Sequence, residues 1–308
     1  MIPEIVILSV LIFVLAKLMP GDPFSGMITP QTSPSQIHAL KVEAGLYDSW
    51  YVQYWHWIVR LFHGDFGMSY QFHSPVVNLI ASRAVNTLWL SLLTVILSYA
   101  LAIPLGLIAG RYEDSKRDKA IQIYNYVSYA IPAFVVYLLG LWFFGYILGW
   151  FPTSGSVSLG ASGFFGVALS RLYHMILPAI LMALISTTGV VQYLRSEIID
   201  AKRQDYVKTA RAKGVPESKV FSRHIFRNSL LPIAAFAGYS ITGLLAGSIF
   251  VETVFAYPGM GLLFVNSIIN RDYSVITVLV LLFGILNLVG TLLSDIILSI
   301  VDPRIRIE

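Results

Sequence analysis

The chain has 308 residues, of which 56% are hydrophobic and only 12% charged, about half the charge of an ordinary soluble globule. It has no cysteine, which excludes a disulfide framework, a thiol nucleophile and a thiolate metal site. The formal charge of +4 comes without a basic block interleaved with aromatics, so nothing marks a nucleic-acid surface, and the reading is an integral membrane protein.

Six stretches are apolar enough to cross a hydrocarbon core of about 30 Å as helices of about 20 residues: 2–19, 88–109, 121–150, 175–194, 230–251 and 275–301. The first is expected to be a permanent anchor, because no basic region precedes it and its exit is Pro20-Gly21-Asp22-Pro23 rather than a small-residue cleavage site. Residues 20–84 are too long for a plain connection. Their aromatics, Trp50, Tyr51, Tyr54, Trp55, Trp57, Phe62 and Phe66, predict a small external subdomain. In it Ser35 caps one short helix, Asp48 caps another, and Gly64-Asp65-Phe66-Gly67 ends the second. The third span exceeds the required length, which predicts tilting or a kink near Pro132. A loop from Thr153 to Gly166, rich in Gly and Ser, is expected to be mobile.

Between the fourth and fifth spans lies a basic, helix-forming island, residues 195–229. Simple returns to the bilayer take about 2–8 residues. This segment has small residues at Thr209, Ala210 and Ala212, a helix stop at Gly214 and a new start at Pro216 and Glu217. Two short helices in a bend suit a partner's groove. Lysines and arginines concentrate here, in the loop after the second span and at Arg304 and Arg306. By the positive-inside rule these are cytoplasmic, with both termini inside.

No phosphate-cradling GxxxxGK[ST] string occurs, and Gly259-Met260-Gly261 lacks the lysine and the preceding strand. No HExxH occurs either. His56, His63 and His73 read as surface residues before they read as a metal site. Glu252 ends an uninterrupted apolar run and precedes Pro258-Gly259-Met260-Gly261, so it is either a capping carboxylate or part of a gate. Possible cavity groups are Tyr129, Tyr137, Thr187, Thr188, Gln192, Tyr239, Ser240, Thr242, Asn287 and Thr291, with helix packing as the simpler role. GxxxG spacings at Gly106/Gly110, Gly145/Gly149 and Gly243/Gly247 allow close helix approach. An intramembrane hydrolase pairing Ser186 with His174 is disfavoured by about 18 Å along one helix. A proton-coupled carrier would need buried mid-membrane carboxylates or histidines, which are almost absent.

Along its whole length the chain resembles the inner-membrane permease subunits of ATP-driven importers for dipeptides and oligopeptides, in particular the B-type member. The likeness rests on Pro20-Gly21-Asp22-Pro23, Gly64-Asp65-Phe66-Gly67-Met68-Ser69, Ile131-Pro132-Ala133-Phe134 and Phe151-Pro152-Thr153-Ser154-Gly155. It continues through His174-Met175-Ile176-Leu177-Pro178-Ala179, the run from Gln204 to Gly214, Val251-Glu252-Thr253-Val254-Phe255 with Pro258-Gly259-Met260-Gly261, and Asp302-Pro303-Arg304. Lys208-Thr209-Ala210 stands where the general importer pattern has Glu-Ala-Ala, and the proline after it comes late, at Pro232. The family's basic segment before the first span is absent, so the chain is expected to begin late in that frame.

The resemblance implies an all-α membrane protein of the type I ABC importer permease fold. It would have six transmembrane helices, a first helix at 1–19, an external subdomain at 20–84, a five-helix core at 85–301 and a cytoplasmic tail at 302–308. It implies a subunit that is not itself an enzyme, with no cofactor or metal on this chain and ATP and Mg bound by partner ATPases. The implied partners are a homologous C-type permease, two cytoplasmic ATPase subunits, an extracytoplasmic peptide-binding protein, peptide cargo and membrane lipid; nickel, glutathione or a sugar is the alternative cargo. The ATPase-coupling residues carried over are Asp205, Tyr206, Thr209, Ala210, Arg211, Ala212, Lys213, Gly214, Val215 and Pro216. The gate or translocation path comprises Gly243, Gly247, Glu252, Phe255, Pro258, Gly259 and Gly261. The cell (cytoplasmic or inner) membrane is the implied location.

Overall fold

Two long helices set the frame of the computed structural model, which describes residues 2–18, 35, 38, 42, 47–69, 71–230, 233, 240 and 249–301. In chain order the helices are α1 (Ile2–Leu18), α2 (Trp50–Phe62), α3 (Val76–Arg111), α4 (Lys116–Ala130), α5 (Ala133–Gly140), α6 (Gly163–Arg203) and α7 (Asp205–Ala212). They continue with α8 (Glu217–Lys219), α9 (Arg227–Ser229), α10 (Ile249–Val254), α11 (Met260–Ile269) and α12 (Tyr273–Val301). π-helical turns at Leu141–Ile147 and Val220–Phe226 extend α5 and join α8 to α9. Among the described residues the only β-type pairing is a single antiparallel bridge, Met68 to Pro75.

Helices α3 and α6 lie side by side and run the same way. Thr94 reaches Met182, the space beside Gly106 is filled by Leu194, and that beside Gly110 by Ile198. The interval in sequence is the same for each pair, so the contact stays in register along the helices. A Cβ at Gly106 would stand 2.9 Å from the Leu194 side chain, and one at Gly110 would stand 2.7 Å from Ile198. The GxxxG spacing read from the sequence therefore seats two branched side chains of a neighbouring helix, and Gly140 of α5 does the same for Leu181. Both long helices carry an internal proline, Pro104 and Pro178.

Among the described residues three helices are long and apolar enough to cross a membrane: Val76–Arg111, Gly163–Arg203 and Tyr273–Ile300. The expected third span does kink near Pro132, and far more sharply than a continuous rod would. It is two helices, α4 and α5 with its π-helical extension, bent by 98°. Ile131 adopts an extended conformation (φ −92°, ψ 123°), as expected for a residue ahead of proline, and Pro132 has no N–H to continue the ladder. The expected fourth span is likewise too short. Helix α6 has 41 residues, begins inside the Gly/Ser-rich loop and absorbs Arg195 to Arg203 from the polar island. Most of the expected fifth span, including Gly243 and Gly247, lies outside the described residues, as do residues 20–34 of the expected external subdomain and the whole tail.

Helix α1 packs on α12, where Leu8 fills the space beside Gly284. Helix α2 touches α1 from its middle onward: Ser9 hydrogen-bonds the Tyr54 hydroxyl at 2.8 Å, and Phe13 meets Tyr54 edge-on at 5.5 Å. Lys17 donates to Gln53, which gives its ammonium a partner at the helix end. The residue that precedes α2 is Ser49 rather than Asp48, and its side chain makes no cap hydrogen bond. Gly64 (φ +75°) follows the end of α2, and Gly67 N–H donates to Asp65 at 3.0 Å in the turn beyond it.

Candidate functional site

Buried side chains gather at both ends of the α3–α6 pair. At one end Leu194, Ile198 and Ala201 of α6 pack with Val207, Ala210, Val220 and Ile225. Gln204 breaks α6 with an extended backbone (φ −70°, ψ 150°), and α7 starts immediately. Val207 and Ala210, three apart on one helical face, turn inward. The other face presents Asp205, Tyr206, Thr209, Arg211, Ala212 and Lys213 to solvent. Gly214, with φ +71°, reverses the chain. Its N–H donates to Arg211 at 2.9 Å and that of Val215 to Ala210 at 3.2 Å, which closes the helix. Half-buried Val215 and exposed Pro216 lead into α8. Of the ten coupling residues named from sequence, Ala210 alone is buried within this chain; the others form or border one exposed bend.

Arg211 grips Glu217 across that bend with two hydrogen bonds, 3.0 and 2.7 Å. The hydrogen bond holds the Glu217 carboxyl below its ordinary range. A depressed carboxyl contributes stability above its unfolded pKa and loses it as pH falls through the folded one. Both side chains are about half exposed (45% and 61%), so the pair contributes under about 1 kcal/mol. Glu217→Gln is expected to move the thermal midpoint of the purified protein barely at pH 7, and the small difference should vanish in acid. A large shift at neutral pH would show the pair to be a structural anchor.

At the opposite end a buried carboxylate organises a turn. Glu252 on α10 is fully buried. Its Oε1 accepts from the Thr87 hydroxyl of α3 at 2.8 Å, and its Oε2 from the Leu262 N–H at 3.0 Å. Thr87 Oγ1 in turn accepts from the Met260 N–H at 2.8 Å. The carboxylate and hydroxyl together satisfy the unpaired N–H groups at the start of α11, where a helix end also favours negative charge. The turn is tied to α3 a second time: Asn86 donates to the Pro258 carbonyl at 2.8 Å and accepts from the Tyr257 hydroxyl at 3.2 Å. A Cβ on Gly259 would land on the Glu252 carboxyl group, and one on Gly261 would stand 2.8 Å from the Ile249 backbone. Phe255 and Tyr257 are buried with Leu90, Tyr137, Met175 and Val251.

The structure thus brings together Glu252, Pro258, Gly259 and Gly261, and it adds Asn86 and Thr87, which sequence reasoning missed. The signal was a polar pair opening a long apolar run, although nothing local connects it to a residue 165 positions on. Among the cavity candidates, Tyr137, Thr187 and Thr188 are buried, Gln192 donates to Gln122 at 2.8 Å, and Tyr129, Asn287 and Thr291 are exposed. Ser240 meets the Tyr99 hydroxyl at 3.3 Å. Tyr239 and Thr242 lie outside the described residues. Among the described residues no three His, Asp or Glu side chains gather closely enough to hold a metal ion.

This arrangement defines a multi-pass helical membrane protein with an exposed helical bend on one end of its longest helices and a tightly braced turn at the other. The chain belongs to the family of binding-protein-dependent transport system inner membrane components, whose model matches residues 102–307, with the companion N-terminal model matching residues 2–92. It is 39% identical over 306 residues to the oligopeptide transport system permease protein AppB of Bacillus subtilis, covering 99% of this chain and 96% of that one. It is 36% identical over 307 residues to a putative peptide transport system permease protein of Brucella abortus (100% and 96%). Identity to the glutathione transport system permease protein GsiC of Salmonella choleraesuis is 34% over 306 residues (99% and 96%). Among solved structures, inward-facing MetNI methionine ABC transporter aligns with a TM-score of 0.59 at 13% identity over 73% of this chain and 97% of that one. An amino acid ABC transporter aligns with 0.53 at 18% identity (74% and 95%). At these identities the structures speak for the fold alone.

Proposed function

We propose that the chain is the permease subunit of an ATP-driven importer that carries oligopeptides or dipeptides delivered by an extracytoplasmic binding protein. The observation that carries this reading is similarity along nearly the full length to permeases named for peptide transport. In this reading the chain crosses the cytoplasmic membrane six times with both termini inside, and it forms half of a pore with a homologous C-type permease. Residues 20–84 face the binding protein. Two ATPase subunits supply ATP hydrolysis, and this chain supplies none.

The exposed bend formed by Asp205, Tyr206, Thr209, Arg211, Ala212, Lys213, Gly214, Val215 and Pro216 docks on one ATPase, with Ala210 anchoring it from within. ATP binding moves the bend as a lever. The turn from Glu252 to Gly261, preceded by Gly243 and Gly247, is the outer gate, and Phe255 packs beneath it. Its dense bracing supports a discrete latch, open or shut, over a loose flap.

Co-reconstitution of the four membrane and ATPase subunits with the binding protein in vesicles tests the reading. Labelled di- and oligopeptides should accumulate only with ATP and binding protein. Accumulation of glutathione in place of every peptide would move the chain to the second reading, which the glutathione permease relative favours.

A further inference from the structure

The short connection between α3 and α4 carries more polar machinery than a turn needs. Asp118, in the first turn of α4, is 2% exposed, and both of its oxygens are occupied. Oδ1 accepts from Arg195 Nε at 2.8 Å and from Gln122 at 3.3 Å; Oδ2 accepts from Arg195 Nη2 at 2.8 Å and from the Asp114 N–H at 2.9 Å. One turn further along, Gln192 of α6 donates to Gln122 of α4 at 2.8 Å. A polar seam therefore fastens α4 to α6 about 13 Å, nine residues at a helical rise, before α6 breaks at Gln204.

Looser contacts continue from this seam toward the bend. Glu113 stands 3.6 Å from both Lys202 and Arg203 in the last turn of α6. The Arg111 guanidinium lies over the Phe221 ring at 4.7 Å, and Phe221 belongs to the leg that returns from the bend. Arg111 and Arg117 also lie near the Tyr112 ring, at 5.5 and 5.2 Å. Bidentate arginine–carboxylate pairs are strong and fix one geometry, whereas long, partly exposed ion pairs contribute little and are given up at little cost.

We propose that residues 111–118 form a second receiving arm of the coupling device, in which the Asp118–Arg195 pair is the pin and the Glu113 and Arg111 contacts are the sliding surfaces. Motion of residues 205–226 then reaches α4, and the bent α4–α5 element beyond it, as well as α6. Asp118 and Arg195 are positioning residues for transport. An inert brace would not need this chemistry, since α3 holds α6 by apolar seating on Gly106 and Gly110 with one weak hydrogen bond from Thr94 to the Met182 sulfur. The proposal rests on the reading of residues 205–216 as the ATPase contact.

The test uses the reconstituted complex and reads peptide imported per ATP hydrolysed. Arg195→Lys, which keeps the charge and loses the fork, is expected to assemble normally and to lower that ratio about tenfold. Asp118→Arg combined with Arg195→Asp should recover part of the ratio lost in either single variant. An Ala212→Cys cross-link to an ATPase subunit is scored in parallel. An unchanged ratio in assembled Arg195→Lys complex, with the cross-link present, overturns the pin. Loss of assembly in both Arg195→Lys and the reversed pair also overturns it, because the seam is then only structural. A lowered ratio without any cross-link would retain the seam and reject residues 205–216 as the contact.

Discussion

Glu252→Ala is expected to be among the most damaging single substitutions in this chain. It removes the acceptor of the fully buried Thr87 hydroxyl and of the partly buried Leu262 N–H. Each donor left unpaired costs about 1–3 kcal/mol, and truncating the side chain adds the cost of a cavity. Gly259→Ala should be nearly as harmful for the opposite reason, because its new methyl group would fall on the carboxyl group itself. Glu252→Gln keeps the volume but turns one acceptor into a donor that faces another donor, so a milder loss follows. Thermal unfolding in detergent should rank the three in that order, with Thr87→Val beside Glu252→Gln. If all of them melt with the unaltered protein, the carboxylate does not hold the turn. Uptake then separates latch from anchor: Glu252→Gln in a latch raises ATP hydrolysis in the absence of binding protein, and in an anchor it changes stability only.

Gly214→Val should abolish transport while leaving the membrane helices folded. Nothing lies within 4 Å of a Cβ built at this glycine, but its φ is +71°. The penalty is therefore one of backbone conformation and amounts to about 1–2 kcal/mol for an ordinary side chain in the left-handed region, and more for a β-branched one. The bend that turns α7 into α8 would open, and the exposed face of α7 would lose its orientation. Asparagine tolerates this region, so Gly214→Asn should transport close to normally, with Gly214→Ala between the two. Equal loss in all three would mean that the partner's groove needs a bare backbone at this position. Equal activity in all three would remove the bend from the coupling path.

Much of the helical frame was legible from sequence because long apolar runs have few other structures available in a membrane. The ends were not. Helix α6 continues through Arg203 because backbone hydrogen bonds do not stop where hydrophobicity does. Pro132 announced a break, yet only the extended backbone at Ile131 fixes how sharp it is. The bend at residues 205–216 could be read from Ala212, Gly214 and Pro216. That Ala210 faces inward required knowing that Val220 and Ile225 return to cover it. The braced turn was half visible: Glu252 and its glycines are local, while Asn86 and Thr87 arrive from another helix. The parallel register of α3 on α6 left no mark beyond the glycines that accommodate it.

Those glycines have a consequence for how such a subunit can change over time. Gly106 receives Leu194, Gly110 receives Ile198 and Gly140 receives Leu181, each with no space for a methyl group. A glycine can enlarge on one helix without strain only if its opposite number shrinks, so the two members of each pair are expected to change together. Helices α3 and α6 are then expected to be exchangeable between related permeases only as a set, although 51 residues of chain separate them. A hybrid that took one without the other would carry two keys or two locks at the same level.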